Sequence, residues 1–121
     1  LEVGKVLMAP GGFHMVFDSK GLVTLNQNPP VHGVRPAVDV TLISIAQLYG
    51  DRVVSVILTG MGNDGTNGAG LVHGSGGWVI AEAEESCVVW GMPRSVTEAG
   101  FTNQVVPLSE VAQSIVKAVE S

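Results

Sequence analysis

The chain has 121 residues, 45% of them hydrophobic and 14% charged, and 6 basic against 11 acidic side chains leave a net charge of -5. A mean hydropathy of +0.37 excludes a disordered polar chain, and the length suits one domain and not two. The acidic balance, without any Lys/Arg cluster, argues against a nucleic-acid partner; no stretch approaches the ~20 apolar residues of a membrane span; and a lone cysteine, Cys87, points to a reducing, cytoplasmic setting.

The first residue is not Met, and the basic-then-apolar order of a signal peptide is missing. The expectation is a piece of something longer, or an engineered version with the same ends. Lys5 to Ala9 reads as a short strand closed by Pro10-Gly11-Gly12. His14 to Phe17 and Leu22 to Leu25 flank Asp18-Ser19-Lys20-Gly21, which has hairpin-turn chemistry. Asn26 to Gly33, with Pro29-Pro30, is a loop. A helix is expected from Pro36 to Tyr49, with Gly50 beyond its end. Val38, Leu42, Ile45 and Tyr49 share one helical face, widened by Ile43 and Ala46.

Residues 53–58 form an apolar run that reads as a buried parallel strand. A weak helix from Thr66 to His73 follows, poor by propensity because of Gly68 and Gly70. Trp78-Val79-Ile80-Ala81 is a buried strand, Pro93 to Ala99 a short helix ended by Gly100, and Gln104 to Val106 a strand. The last helix spans Ser109 to Glu120, with Ser109 as its cap and Val111, Ile115, Ala118 and Val119 as its apolar stripe. Strands alternating with helices predict an α/β fold with a mostly parallel sheet and the hairpin as an antiparallel appendage.

Between the strand at 53–58 and the weak helix lies Leu58-Thr59-Gly60-Met61-Gly62-Asn63-Asp64-Gly65. Loops at the carboxyl ends of strands are where such sheets bind ligands, so Asp64 is the first candidate for chemistry. Three readings are open. Gly60-x-Gly62-x-x-Gly65 matches a dinucleotide-binding loop, with Glu82, Glu84 and Glu85 near the offset of a ribose-binding acid. Against this stands Asp64, whose carboxylate would face a pyrophosphate and repel it. The second reading is catalytic: the carboxylate orients a histidine for acyl transfer and loop N–H groups face a developing oxyanion. In the third, Asp64 only satisfies amides in a tight turn.

Several further segments bear on the choice. They are Ala9-Pro10-Gly11-Gly12 with His14-Met15, Pro29-Pro30-Val31, and Arg35-Pro36-Ala37-Val38-Asp39-Val40. The glycine loop comes next, followed by Glu84-x-Ser86-Cys87-Val88-Val89-Trp90-Gly91-Met92-Pro93-Arg94. In order, spacing and motif the chain resembles the C-terminal part of the catalytic domain of CheB-type chemotaxis methylesterases, the protein-glutamate methylesterases.

The resemblance implies a three-layer, doubly wound sheet, incomplete at its N-terminal side, with residues 1–121 as the C-terminal portion of one catalytic domain. It implies a Ser-His-Asp hydrolase that removes methyl groups from receptor glutamates and can deamidate receptor glutamines. It places Asp64 as the triad aspartate and the backbone N–H of Met61 in the oxyanion hole, while the Met61 side chain is expected to pack. The serine and histidine precede the chain, so the chain alone is expected to be inactive. The implied partners are the cytoplasmic helices of methylated chemoreceptors and a response-regulator domain, without nucleic acid or membrane insertion. No cofactor is needed and no metal-ligand spacing is visible. A noncatalytic receptor-docking domain remains an alternative, as does the nucleotide-binding module.

The remaining polar residues have plainer readings. Ser75 lies before a strand, at the opposite edge of the sheet from Asp64. His73 is nine residues beyond Asp64, ~13 Å along a helix. His14 and His32 are expected at the surface or in loops, Arg35 in solvent, and Cys87 as a buried structural thiol. Ala37 stands where the family commonly has serine, which removes a capping hydroxyl from the first helix.

Overall fold

The structure, a computed structural model, describes residues 1–121. Irregular backbone leads into an antiparallel hairpin of β1 (His14–Phe17) and β2 (Val23–Asn26), in register from His14 opposite Asn26 to Phe17 opposite Val23. Asp18 makes the turn, its Oδ1 accepting the N–H groups of Lys20 and Leu22. Helix α1 (Val38–Tyr49) follows, then β3 (Val54–Ile57), α2 (Thr66–Gly74), β4 (Trp78–Glu82), α3 (Met92–Glu98), β5 (Gln104–Val106) and α4 (Leu108–Glu120). The three later strands form a parallel sheet in the order β3-β4-β5. The α/β class and the antiparallel appendage are as the sequence predicts.

One face of the sheet builds the core. Val53, Ile57 and Val79 meet Leu42 and Ala46 of α1, Ala69 and Val72 of α2, and Val96 of α3. A buried side chain of this kind contributes about 1.5–3 kcal/mol through removal from water. Alternation sends Ile80 to the other face, where α4 packs against β3 and β4 with Val111 buried. The weak propensity of α2 has a packing reason. A Cβ at Gly68 would lie 2.8 Å from the Leu42 Cβ, and one at Gly70 would lie 2.7 Å from Phe101 Cε2. Missing methyls let α1 and α3's following loop approach α2, and tertiary packing outweighs propensity.

Three sequence expectations are corrected. Lys5 to Ala9 is not a strand. A strand needs a ladder partner, and Val6 and Met8 stand in solvent with nothing alongside. Helix α1 begins at Val38 and not at Pro36, because Ala37 is extended at φ -109°, ψ 134°. Ser109 does not cap α4: the cap position is Pro107, without a capping side chain, and the first amide, Leu108 N–H, donates to Ser86 Oγ at 2.9 Å.

Strand β3 pairs only with β4, so its other edge is unpaired. An apolar groove lies between α1 and the segment before the hairpin, lined by Ala9, Met15, Pro36, Val38, Leu42 and Ile45. No helix is long and apolar enough to cross a membrane.

Candidate active site

The loop after β3 is held by its neighbours. Glu82, almost fully buried at the end of β4, accepts the Thr59 N–H through Oε1 at 2.8 Å and the Ser86 hydroxyl through Oε2 at 2.8 Å. Thr59 Oγ1 accepts the Val89 N–H at 2.8 Å, and Val89 O accepts the Gly60 N–H at 3.1 Å. Gly60 O in turn accepts the N–H groups of Gly91 and Met92 at 3.1 and 2.8 Å. Two loops, 59–60 and 89–92, are thereby stitched backbone to backbone. A Cβ on Gly91 would sit 2.7 Å from Gly60 O and 2.9 Å from Gly62 N. These glycines answer to the contact between two loops.

Beyond this clamp the chain turns through Gly62 at φ +89° and Gly65 at φ +96°, where side chains are disfavoured. The turn carries Asp64 inward to the N-terminus of α1. Its Oδ2 accepts the Val38 N–H at 2.6 Å and its Oδ1 the Asp39 N–H at 2.9 Å. Two of the orphan amides of α1 are thus satisfied, and the positive helix end faces a carboxylate. Each carboxylate oxygen retains a second lone pair for another donor. Asp64 does satisfy amides, but they belong to a helix 26 residues away in sequence and not to its own turn.

Asp39 extends this network. Its Oδ1 accepts the Gly68 N–H from the first turn of α2 at 2.7 Å, and its Oδ2 accepts His32 Nε2–H at 2.8 Å. His32 reaches it from a two-residue turn in which Val31 and Val34 exchange N–H···O bonds at 3.0 Å, with His32 at φ +54°. Ligating atoms of His32, Asp39 and Asp64 lie within 4.8 Å of one another. No sequence spacing announced this cluster, since its members come from three segments that meet only in the fold. His32 is in a loop as expected, yet its ring is engaged with Asp39.

Met61 sits at the tip of the loop. Its N–H donates to no acceptor within the chain. Its side chain does not pack as expected but is 84% exposed.

Other candidates lie elsewhere. His14 is not a surface histidine: it is buried, with Nε2–H donating to Pro29 O at 3.0 Å and Nδ1 accepting the Ala37 N–H at 3.3 Å. Arg35 is half-buried and not free in solvent, its Nη1 donating to Gln27 O and Asn28 O at 3.0 and 3.3 Å. Cys87 is half-buried, not fully so. Desolvation and then the Glu82 carboxylate push its thiol above the usual range, which disfavours a thiolate nucleophile. Ser75 follows α2, before β4 begins, at the sheet end opposite Asp64.

Comparison with known proteins agrees with this arrangement. The profile of the CheB methylesterase family matches residues 1–115. A protein-glutamate methylesterase/protein-glutamine glutaminase of Symbiobacterium thermophilum is 51% identical over 119 residues, covering 98% of this chain and 33% of the relative. The protein of that name from Clostridium acetobutylicum is 47% identical over 116 residues, covering 96% of this chain and 34% of its own. The chain thus spans about a third of the length of these curated relatives. Among solved structures, the CheB methylesterase catalytic domain of Thermotoga maritima superposes with a TM-score of 0.86 at 42% identity, covering 89% of this chain and 59% of that one. Its fold is therefore the α/β fold described above, and the chain belongs to the CheB methylesterase family.

Proposed function

We propose that this chain is the C-terminal portion of a catalytic domain that hydrolyses glutamate γ-methyl esters on chemoreceptors, with Asp64 as the carboxylate of a Ser-His-Asp triad. The observation that carries the reading is the fixation of Asp64 by two amides of α1. A carboxylate so held is aligned and still able to accept an imidazole Nδ1–H. That bond sets the tautomer and stabilises the imidazolium formed when the serine is deprotonated. The serine and histidine are supplied by residues outside these 121, and the apolar groove beside α1 is where that segment would pack.

In this mechanism the serine oxygen attacks the ester carbonyl carbon while the histidine takes its proton. The histidine returns the proton to the methoxy group as the C–O bond breaks and methanol leaves. Water then attacks the acyl-enzyme, losing its proton to the same histidine, and releases the glutamate. A glutamine side chain follows the same route with ammonia as the leaving group. The Met61 N–H, without an acceptor in the chain, donates to the carbonyl oxygen as negative charge develops there. One such donor is worth about 10²–10³ in rate. The route needs no cofactor. The partners are cytoplasmic receptor helices, with a response-regulator domain as the controlling element, and the setting is the cytoplasm.

The Gly68 amide in the first turn of α2 already donates to Asp39, which argues against seating a pyrophosphate there. The test is methanol release from methylated receptor by the full-length protein, with and without Asp64→Asn. A rate that stays within about threefold removes Asp64 from the triad, since loss of a triad member costs orders of magnitude. Receptor binding without any hydrolysis by the unaltered protein would favour a docking domain instead.

A further inference from the structure

The cluster around Asp64 holds more negative charge than its surroundings balance. Asp39 and Asp64 are 3% and 7% exposed. The chain's Lys and Arg ion pairs are Lys5 with Glu2 and Arg94 with Glu98, so neither buried carboxylate is paired with a Lys or Arg. Three backbone amides and one imidazole are their partners. Neutral donors satisfy these oxygens without cancelling a charge, and buried carboxylates are commonly paired or bound to a cation. The His32 ring is 29% exposed, which leaves the cluster open on one side.

From these observations we propose that His32 Nε2, Asp39 Oδ2 and an Asp64 carboxylate oxygen form a binding site for a first-row divalent transition-metal ion, and that an ion held there withdraws Asp64 from catalysis. One imidazole and two carboxylates make a mixed nitrogen–oxygen set, which suits Zn²⁺ and its neighbours better than Mg²⁺ or Ca²⁺. Donors on a tetrahedral zinc lie about 3.3 Å apart; His32 Nε2 and Asp39 Oδ2 are 2.8 Å apart and all three donors lie within 4.8 Å, so closure asks only small side-chain adjustments. The Nε2 proton moves to Nδ1 as the metal takes the Nε2 lone pair. The carboxylates keep their backbone donors, using their remaining lone pairs for the ion. The lone pair that Asp64 would offer a triad imidazole is then engaged. The inhibitory half of the proposal rests on the triad reading of Asp64, whereas the binding half does not.

The experiment titrates Zn²⁺ into the full-length protein by calorimetry, with Mg²⁺ as control. The variants are His32→Asn, which tolerates the left-handed backbone, and Cys87→Ser, which tests thiol binding instead. The proposal expects Zn²⁺ to bind and raise the melting temperature, His32→Asn to weaken binding at least about tenfold, and Cys87→Ser and Mg²⁺ to leave it unaffected. Equal Zn²⁺ affinity in His32→Asn, or loss of binding in Cys87→Ser, overturns the site. Methanol release is followed in parallel. His32-dependent binding that leaves the rate unchanged overturns the inhibitory half, and an unaltered protein that hydrolyses nothing refutes the triad reading while leaving the metal titration valid.

Discussion

Asp64 does for helix α1 what Ala37, at the cap position, has no side chain to do. Ala37 makes no capping hydrogen bond, and the Val38 and Asp39 amides donate instead to Asp64 at 2.6 and 2.9 Å. The residue proposed for chemistry is also a joint between the glycine loop and the helix.

Replacing Asp64 therefore has a cost in stability as well as in rate. Asp64→Asn keeps one acceptor oxygen and turns an amino group toward the other amide, which should destabilise the fold by about 1–2 kcal/mol. Adding Ala37→Ser places a hydroxyl where it can accept the Asp39 N–H, and should recover about half of that loss. Urea unfolding of the single and double variants checks both steps. Unchanged stability in Asp64→Asn would show that the carboxylate contributes nothing as a cap.

The two loop glycines should differ sharply. A methyl on Gly91 meets backbone atoms of Gly60 and Gly62, which cannot move without breaking the stitching. A methyl on Gly60 meets the Met92 thioether, the end of a flexible side chain. Gly91→Ala should cost about 1–3 kcal/mol and Gly60→Ala clearly less. Thermal melts of the two variants check this order, and Gly60→Ala proving the more damaging, or no different, would contradict this account of the clamp.

How much of this was legible before the fold was known follows from the range of each signal. Apolar runs found β3 and β4, and apolar stripes found α1 and α4, because burial acts residue by residue along an element; α2 reads as weak, and α3 is bounded by Pro93 and Gly100. The apolar run Val6-Leu7-Met8 was mistaken for a strand, since sequence pattern does not report whether a ladder partner is present. Ser109 was the local choice of cap, but Ser86 comes from elsewhere in the chain. Position 64 stands out as a candidate because a carboxylate among glycines after a buried strand is a local pattern. Its partners Val38 and Asp39 and the buried state of His14 rest on long-range contacts, and the His32–Asp39 contact needs the turn between them, so no local pattern carries them.

His14 should prove structural. Its ring joins the Pro29 carbonyl to the Ala37 amide, and His14→Phe fills similar space while leaving both groups unpaired. A loss of about 1–3 kcal/mol is expected, read by chemical denaturation. A neutral outcome would mean that the loop at 26–33 is not anchored to α1 through this ring.

The Cys87 thiol offers a test of the Glu82 environment. Desolvation and the Glu82 charge both favour the protonated thiol. Glu82→Gln removes the second cause, so the thiol pKa should fall, the thiolate fraction at pH 8 should rise, and alkylation by iodoacetamide should run severalfold faster, because the thiolate is the reactive form. In the unaltered protein, alkylation should be slower than that of an exposed cysteine peptide and should accelerate as pH rises. An equal or slower rate in Glu82→Gln would contradict the assigned cause.

The dual role of Asp64 is tested most directly by methanol release from methylated receptor, using full-length protein carrying Asp64→Asn together with Ala37→Ser. Capping restored by the serine separates the structural part from the chemical one. The account predicts that about half of the stability lost in Asp64→Asn is regained while the rate stays reduced at least about 100-fold. A double variant that regains both stability and rate would contradict it, and would leave Asp64 as a helix cap alone.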